Sequence, residues 1–163
     1  MRIEEIIIVD EFDNIIWYKN KSDILSEDIY RATWLWIENS DWEILLAQRS
    51  FSKKNDPWKW WPAVAWTVEK WESYESNIIK EAWEEIWLFD FEFEKLEIIR
   101  FYWQFNYFAQ LFKTITEKQI EDFIIQESEI EQLKWIRRDV LIQELKKNPE
   151  KFVPAIDKAV KIT

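Results

Sequence analysis

The chain has 163 residues, among them 13 Trp but no Gly, Cys or His, and carries a formal net charge of −10. Without Cys there are no disulfides, thiolate nucleophiles or zinc–thiolate sites, and without His no imidazole catalysis or ligation; chemistry is left to carboxylates, amines, hydroxyls and metal. The negative balance argues against a nucleic-acid groove, which needs concentrated Lys and Arg, although an acidic chain still meets phosphates through a metal ion.

The segment IEEIIIVD is rich in β-formers, EFDN reads as a turn and IIWYKN resumes the strand, so the chain opens as a hairpin. YRATWLWIEN and EILLAQRS are two further strands joined by NSDW, where a hairpin ordinarily places glycine after Asp. FSKKNDPWKWWPA is polar, then Pro-bearing, and long enough for a functional loop. From Ser73 to Ile86 the period becomes helical: Ile79, Ala82, Trp83 and Ile86 form the face expected to pack, with Glu81, Glu84 and Glu85 on a different face. FEFEKLEIIRFYW, FNYFAQLFKTI and EIEQLKWI read as strands, and RRDVLIQELKKN and PAIDKAVKI as closing helices, the first ending before Pro149.

Strands on both sides of a central helix, with more helices at the end, predict an α/β fold, an α/β/α sandwich around a mixed sheet. The length suits one domain spanning residues 1–163. No apolar run approaches the roughly 18–20 residues of a membrane span, and the start lacks the basic-then-apolar order of a signal peptide, so a cytoplasmic location is expected. Glycine normally makes up about 7% of residues, and its complete absence points to Trp standing at positions that want glycine.

Carboxylates at 81, 84 and 85 stand at i, i+3 and i+4, which brings their oxygens within reach of a common point beside the helix. A hard divalent cation prefers such oxygens, held by a few carboxylates together with substrate phosphates. The competing reading is a solvated acidic face.

Trp66, five residues, Glu72, seven residues and then Lys80-Glu81-Ala82-Trp83-Glu84-Glu85-Ile86-Trp87-Leu88 resembles the signature box of the Nudix hydrolase family. That box runs Gly, five residues, Glu, seven residues, Arg-Glu-aliphatic-any-Glu-Glu-any-Gly-aliphatic. All four Glu and both apolar positions match, whereas both glycines are Trp here and the arginine is Lys. IVDEFDNII, YRAT, EILLAQRS, PAVAWTVEKWE, QESEIEQLKWI and FVPAIDKAV extend the resemblance, in order, to the Nudix subgroup related to isopentenyl-diphosphate isomerase. Trp36, Trp60, Trp83 and Trp135 fall where that subgroup accepts Trp, and Trp42, Trp58, Trp61, Trp66, Trp71 and Trp87 where it usually has Gly.

The resemblance implies Mg²⁺- or Mn²⁺-dependent attack of water on a diphosphate linkage in a nucleoside diphosphate derivative or related small molecule. Glu81, Glu84 and Glu85 would hold the metal, with Glu81 also orienting or deprotonating the water. Lys80 and Glu72 would pair to fix the loop against the helix, Lys lacking the bidentate fork of Arg. Among Glu127, Glu129 and Glu131, Glu129 is the choice for a further carboxylate. Arg49 and Lys59, with Lys53 and Lys54, border the loop before the box and are placed to meet phosphate charge. Tyr102, Trp103 and Phe105 are expected in core packing, with stacking on a base as the alternative.

The partners expected are a small-molecule diphosphate and, as an open option, a second copy in a homodimer, with no nucleic acid and no membrane. Isopentenyl-diphosphate isomerisation is the first alternative, but it needs a Cys and several His, and Tyr30 stands where the isomerase places a His. A catalytically inactive binding module of the same fold is the second.

Overall fold

The computed structural model describes residues 4–102 and 104–163, so Trp103 and the first residue of the expected opening strand, Ile3, lie outside the described residues. The hairpin forms as expected from β1 (Glu5–Val9) and β2 (Ile15–Asn20), antiparallel from Glu5↔Asn20 to Val9↔Ile15. The next two strands are β3 (Ile29–Glu38) and β4 (Glu43–Arg49), with Trp42 at φ 61° in the turn between them.

These two strands touch at one register position, Glu38↔Ile44, and then part. β3 joins β6 (Val64–Thr67) antiparallel through Thr33↔Trp66, and runs parallel to β8 (Tyr107–Ile115) from Tyr30↔Tyr107 to Glu38↔Ile115. β4 takes β9 (Ile130–Arg137) on one side and β5 (Trp60–Pro62) on the other, both antiparallel. β7 (Glu94–Phe101) continues beyond β8. The nine-stranded sheet is therefore mixed, and where β3 and β4 part, β6 and β5 take up their facing edges.

Both sheet faces are apolar, as alternation along the central strands requires. Leu35, Ile37, Leu45, Ala47 and Phe112 point into one core, and Trp34, Trp36, Ile44, Leu46 and Leu111 into the other. Such strands read as continuous hydrophobic runs because each face meets a layer of its own. Helix α1 (Tyr74–Ile86) covers the first core with Ile78, Ala82 and Ile86; α2 (Arg138–Lys147) and α3 (Ile156–Ile162) cover the second with Leu141, Ile156, Ala159 and Val160. The result is the expected α/β/α sandwich.

Helix α1 starts on a capping box, in which the Ser73 hydroxyl accepts from the Ser76 N–H at 3.1 Å and the Ser73 N–H donates to the Ser76 hydroxyl at 2.9 Å. It ends at Trp87, held left-handed at φ 53°, ψ 40°, where the Leu88 N–H reaches the Ala82 carbonyl at 3.0 Å.

Three expectations are corrected. The stretch 60–67, read as loop and box entry, forms β5 and β6, because pairing with β4 and β3 satisfies its backbone. Trp42, Trp58, Trp71 and Trp87 do take positive φ, but Trp61 and Trp66 lie in extended strands and need no left-handed freedom. On α1, Ile79 and Trp83 are 49% and 51% exposed, and the packed face is Tyr74, Ile78, Ala82 and Ile86 instead. Asn77, Glu81 and Glu85 share that inward side.

Candidate active site

Five helix and loop residues lock together at the sheet side of α1. The Lys80 ammonium lies 2.6 Å from Glu72, 2.9 Å from Glu81 and 3.0 Å from Glu69. Glu72 also accepts the Asn77 amide at 2.8 Å and the Glu69 backbone N–H at 3.0 Å. Asn77, fully buried, accepts the Thr33 hydroxyl of β3 and donates to the Thr67 carbonyl of β6 at 3.3 Å. The loop before the helix, the helix and two strands are thus tied at one point. Burial alone would raise the Glu72 carboxyl, but Lys80, the Glu69 N–H and Asn77 outweigh it and hold it below the ordinary glutamate range. Lys80 is likewise raised, since its carboxylates outweigh the burial that would lower it.

Glu81 and Glu85, one helical turn apart, are 3% and 1% exposed. Burial, opposed by Lys80 and assisted by the charges of Glu84 and Glu72, pushes the Glu81 carboxyl up to about 7. Burial again, with the charges of Glu81 and Glu129, holds Glu85 well above its ordinary value, and Lys53 acts in the opposite sense. Neither side-chain oxygen of Glu85 accepts a well-aligned hydrogen bond among the described residues; the Ala65 backbone N–H of β6 comes near enough only to offset a little of the burial. Two desolvated carboxylates side by side are costly unless a cation joins them.

Glu84 does not converge with them. It is exposed, and among the described residues no cluster of three acidic side chains is gathered to hold a metal ion. The reason is the rotation of α1: seating Ile78, Ala82 and Ile86 in the core turns 81 and 85 inward and 84 outward. The inward pair still fits a hard cation, because its donors are all oxygen, one member is orphaned, and such ions are commonly held by one or two carboxylates with substrate phosphates.

A cavity of ≈ 1000 Å³ lies against β3, β6 and the end of β4, with the loop that follows β4 along its side. Tyr30 and Trp34 of β3, Ala65 and Trp66 of β6 and Arg49 at the end of β4 contribute to its wall. Arg49 lies 4.0 Å over the Trp61 ring and donates to the Asn55 carbonyl at 3.0 and 3.1 Å. Lys53 and Lys54 line the same cavity, whereas Lys59 is absent from its wall and pairs with Asp56 at 2.8 Å. Tyr102 and Phe105 also line the cavity, and Tyr102 is exposed, which corrects their expected place in the core.

Of the three glutamates around the start of β9, Glu129 is half-buried and paired with Lys53, while Glu127 and Glu131 stay exposed. The parts that sequence reasoning missed are Thr33, Glu69, Asn77 and the Lys53–Glu129 pair. The available signal was the spacing of Asn77, Glu81 and Glu85 at i, i+4 and i+8, a polar row beside the apolar row of Tyr74, Ile78, Ala82 and Ile86.

With that geometry in place, comparison with known proteins is informative. In fold, the chain is similar to DR0079 from Deinococcus radiodurans, with a TM-score of 0.86 at 20% identity over 97% of this chain and 98% of that one. It is similar also to a MutT protein from Methanosarcina mazei, with a TM-score of 0.69 at 16% identity over 85% and 94% of the two chains. A C. elegans Ap4A hydrolase matches at 0.52 and 20% identity, over 69% and 83%. No curated protein matches the chain. Residues 29–156 match the NUDIX domain, a span containing α1, all the carboxylates described above and most of the cavity wall; the chain belongs to the Nudix family.

Proposed function

We propose that the chain hydrolyses a diphosphate linkage in a nucleoside diphosphate derivative or a related small molecule, with Mg²⁺ or Mn²⁺ as cofactor. The observation that carries this reading is Glu85, a buried carboxylate with no well-aligned hydrogen bond among the described residues, beside Glu81 and close to a cavity that carries Arg49, Lys53 and Lys54. The family membership and an Ap4A hydrolase among the structural neighbours support a phosphoanhydride as the bond cleaved.

When bound, a divalent cation supplies charge at the phosphoryl oxygens and lowers the pKa of a coordinated water. Glu81 and Glu85 would hold it from the helix; Glu84, turned outward, would reach it only after a change of side-chain rotamer. Glu81, raised to about 7, is matched to taking a proton near neutral pH. Lys80, Glu72 and Asn77 keep Glu81 in register with β6. Arg49 meets phosphate from the cavity wall; Lys59, turned to Asp56, does not take part. Glu129 contributes a further carboxylate at the Glu85 side. The reading extends to a single domain in the cytoplasm and to the subgroup related to isopentenyl-diphosphate isomerase. In it Trp66 and Trp87 stand at the box's glycine positions.

A second reading, a binding module without catalysis, draws on the outward Glu84 and the indole of Trp66 in the cavity wall. A Mg²⁺-dependent phosphate-release screen over nucleoside diphosphate compounds separates the two. The hydrolase reading expects metal-dependent turnover that falls at least about 100-fold in Glu85→Gln. Nucleotide binding without metal-dependent turnover on any compound would refute it and leave the module.

A further inference from the structure

Lys53 faces the buried carboxylates from the cavity side. It lies in the loop between β4 and β5 and lines the cavity; its ammonium pairs with Glu129 and stands 4.9 Å from the centre of the Trp66 ring, which also carries the Lys21 ammonium at 4.0 Å. The backbone seats this arrangement, because the Ser50 N–H donates to the Glu129 carbonyl at 2.9 Å and the Gln126 N–H to the Glu85 carbonyl at 2.9 Å. On the other side of the pair, Lys80 is shared among Glu69, Glu72 and Glu81. On the Glu85–Glu129 side the positive charge comes from Lys53, which pairs with Glu129, and from Arg49, whose buried guanidinium feels both carboxylates but is held by the Asn55 carbonyl.

An ammonium in that place does part of a metal ion's electrostatic work, but it cannot stay when a divalent cation enters, because two cations sharing Glu85 and Glu129 repel each other. Lysine is suited to leaving. Its charge sits on a flexible four-carbon stem with three rotatable donors, and an aromatic face alongside holds a cation as it moves.

We propose that Lys53 is a displaceable counter-cation: in the metal-free protein it pairs with Glu129 and offsets part of the charge of Glu85, and when a divalent cation is bound it swings away past Trp66 and contacts the substrate's diphosphate in the cavity it lines. The proposal rests on Glu81 and Glu85 holding the metal. It makes metal entry and substrate capture one coupled event, since the displaced ammonium gains a new anion to bind. Lys54, its neighbour on the cavity wall, has no part in the exchange.

The test titrates the full chain with Mn²⁺ alone, reading free Mn²⁺ by electron paramagnetic resonance, and measures KM and kcat separately. Lys53→Met should bind Mn²⁺ about tenfold more tightly than the unaltered chain and raise KM about tenfold, the scale of one charge-assisted contact. Lys53→Arg, which keeps the charge, and Lys54→Met should leave Mn²⁺ affinity within about threefold. Circular dichroism checks folding, and Lys53→Gln replaces Lys53→Met if the latter does not fold. Mn²⁺ affinity unchanged or weakened in Lys53→Met, with binding abolished in Glu85→Gln, overturns the role of Lys53 and leaves the metal reading standing. No Mn²⁺ binding by any form overturns both.

Discussion

Replacing Trp87 by glycine and, separately, by alanine isolates what a left-handed backbone costs at the end of α1. Trp87 sits at φ 53°, ψ 40°, is 48% exposed, and its ring meets Phe89 edge-on at 6.4 Å. Both substitutions remove that ring and its contacts. Only glycine also removes the clash between Cβ and the following carbonyl, worth about 1–2 kcal/mol in this region. Against this stands the larger entropy of a glycine in the unfolded chain, about 0.4–1 kcal/mol. The balance puts Trp87→Gly above Trp87→Ala by about 0.5–1 kcal/mol, or about 1–4 °C in Tm for a chain of this size. Glu84, exposed inside the same helix, is the internal control, and there alanine should exceed glycine by about 1 kcal/mol. Urea unfolding of the four variants at one pH reads both differences. An alanine variant at 87 equal to or more stable than the glycine variant, with the expected order at 84, would refute the assignment of backbone strain to this cap.

The remaining predictions concern the buried polar groups. Glu85→Gln should stabilise the metal-free protein by about 1–2 kcal/mol at neutral pH in urea unfolding while removing metal-dependent turnover, because it deletes an unpaired buried charge that only a cation satisfies; a destabilised, fully active variant would contradict the site. Saturating Mg²⁺ at about 100 times its Kd should raise unfolding free energy by about 2.7 kcal/mol in the unaltered chain and by nothing in Glu85→Gln, measured by chemical denaturation. Burial alone would raise Glu38, but hydrogen bonds from Lys113 and Arg138 outweigh it and hold its carboxyl low. A depressed carboxyl contributes its stability above the unfolded-state pKa, and that contribution is lost as pH falls through the folded value. Glu38→Gln should therefore flatten the acid limb of the stability profile below about pH 4.5. An unchanged acid limb would remove Glu38 from the account. Asn77→Ala should cost about 2–3 kcal/mol by leaving the buried Thr33 hydroxyl without its acceptor and Glu72 with one donor fewer, and loss of less than about 0.5 kcal/mol would show the network to be slack.

Much of the architecture was legible in the chain, and the failures have identifiable causes. The opening hairpin, the long strands and the three helices follow from period and turn chemistry carried by neighbouring residues. β5 and β6, of three and four residues, hold too few positions to show an alternation, and Pro62 disguises the first as a loop. On α1 two stripes compete. Ile79, Ala82, Trp83 and Ile86 are the more hydrophobic, yet the helix packs on Tyr74, Ile78, Ala82 and Ile86 and carries Asn77, Glu81 and Glu85 inward. Ranking faces by hydrophobicity fails where a functional site places charge inside.

The box spacing likewise located the carboxylates correctly in the chain while leaving their directions open. Glu72 and Lys80 meet as their positions implied, but that Glu81 and Glu85 turn in, Glu84 turns out, Glu129 pairs with Lys53 and Lys59 faces Asp56 was decided by packing. Periodicity, caps and the residue types open to chemistry are local properties, readable from a few neighbours. The parting of β3 from β4, the cavity beside β3 and β6 and the rotation of α1 depend on partners brought together from far apart in the chain, and those contacts set which side chains share a site.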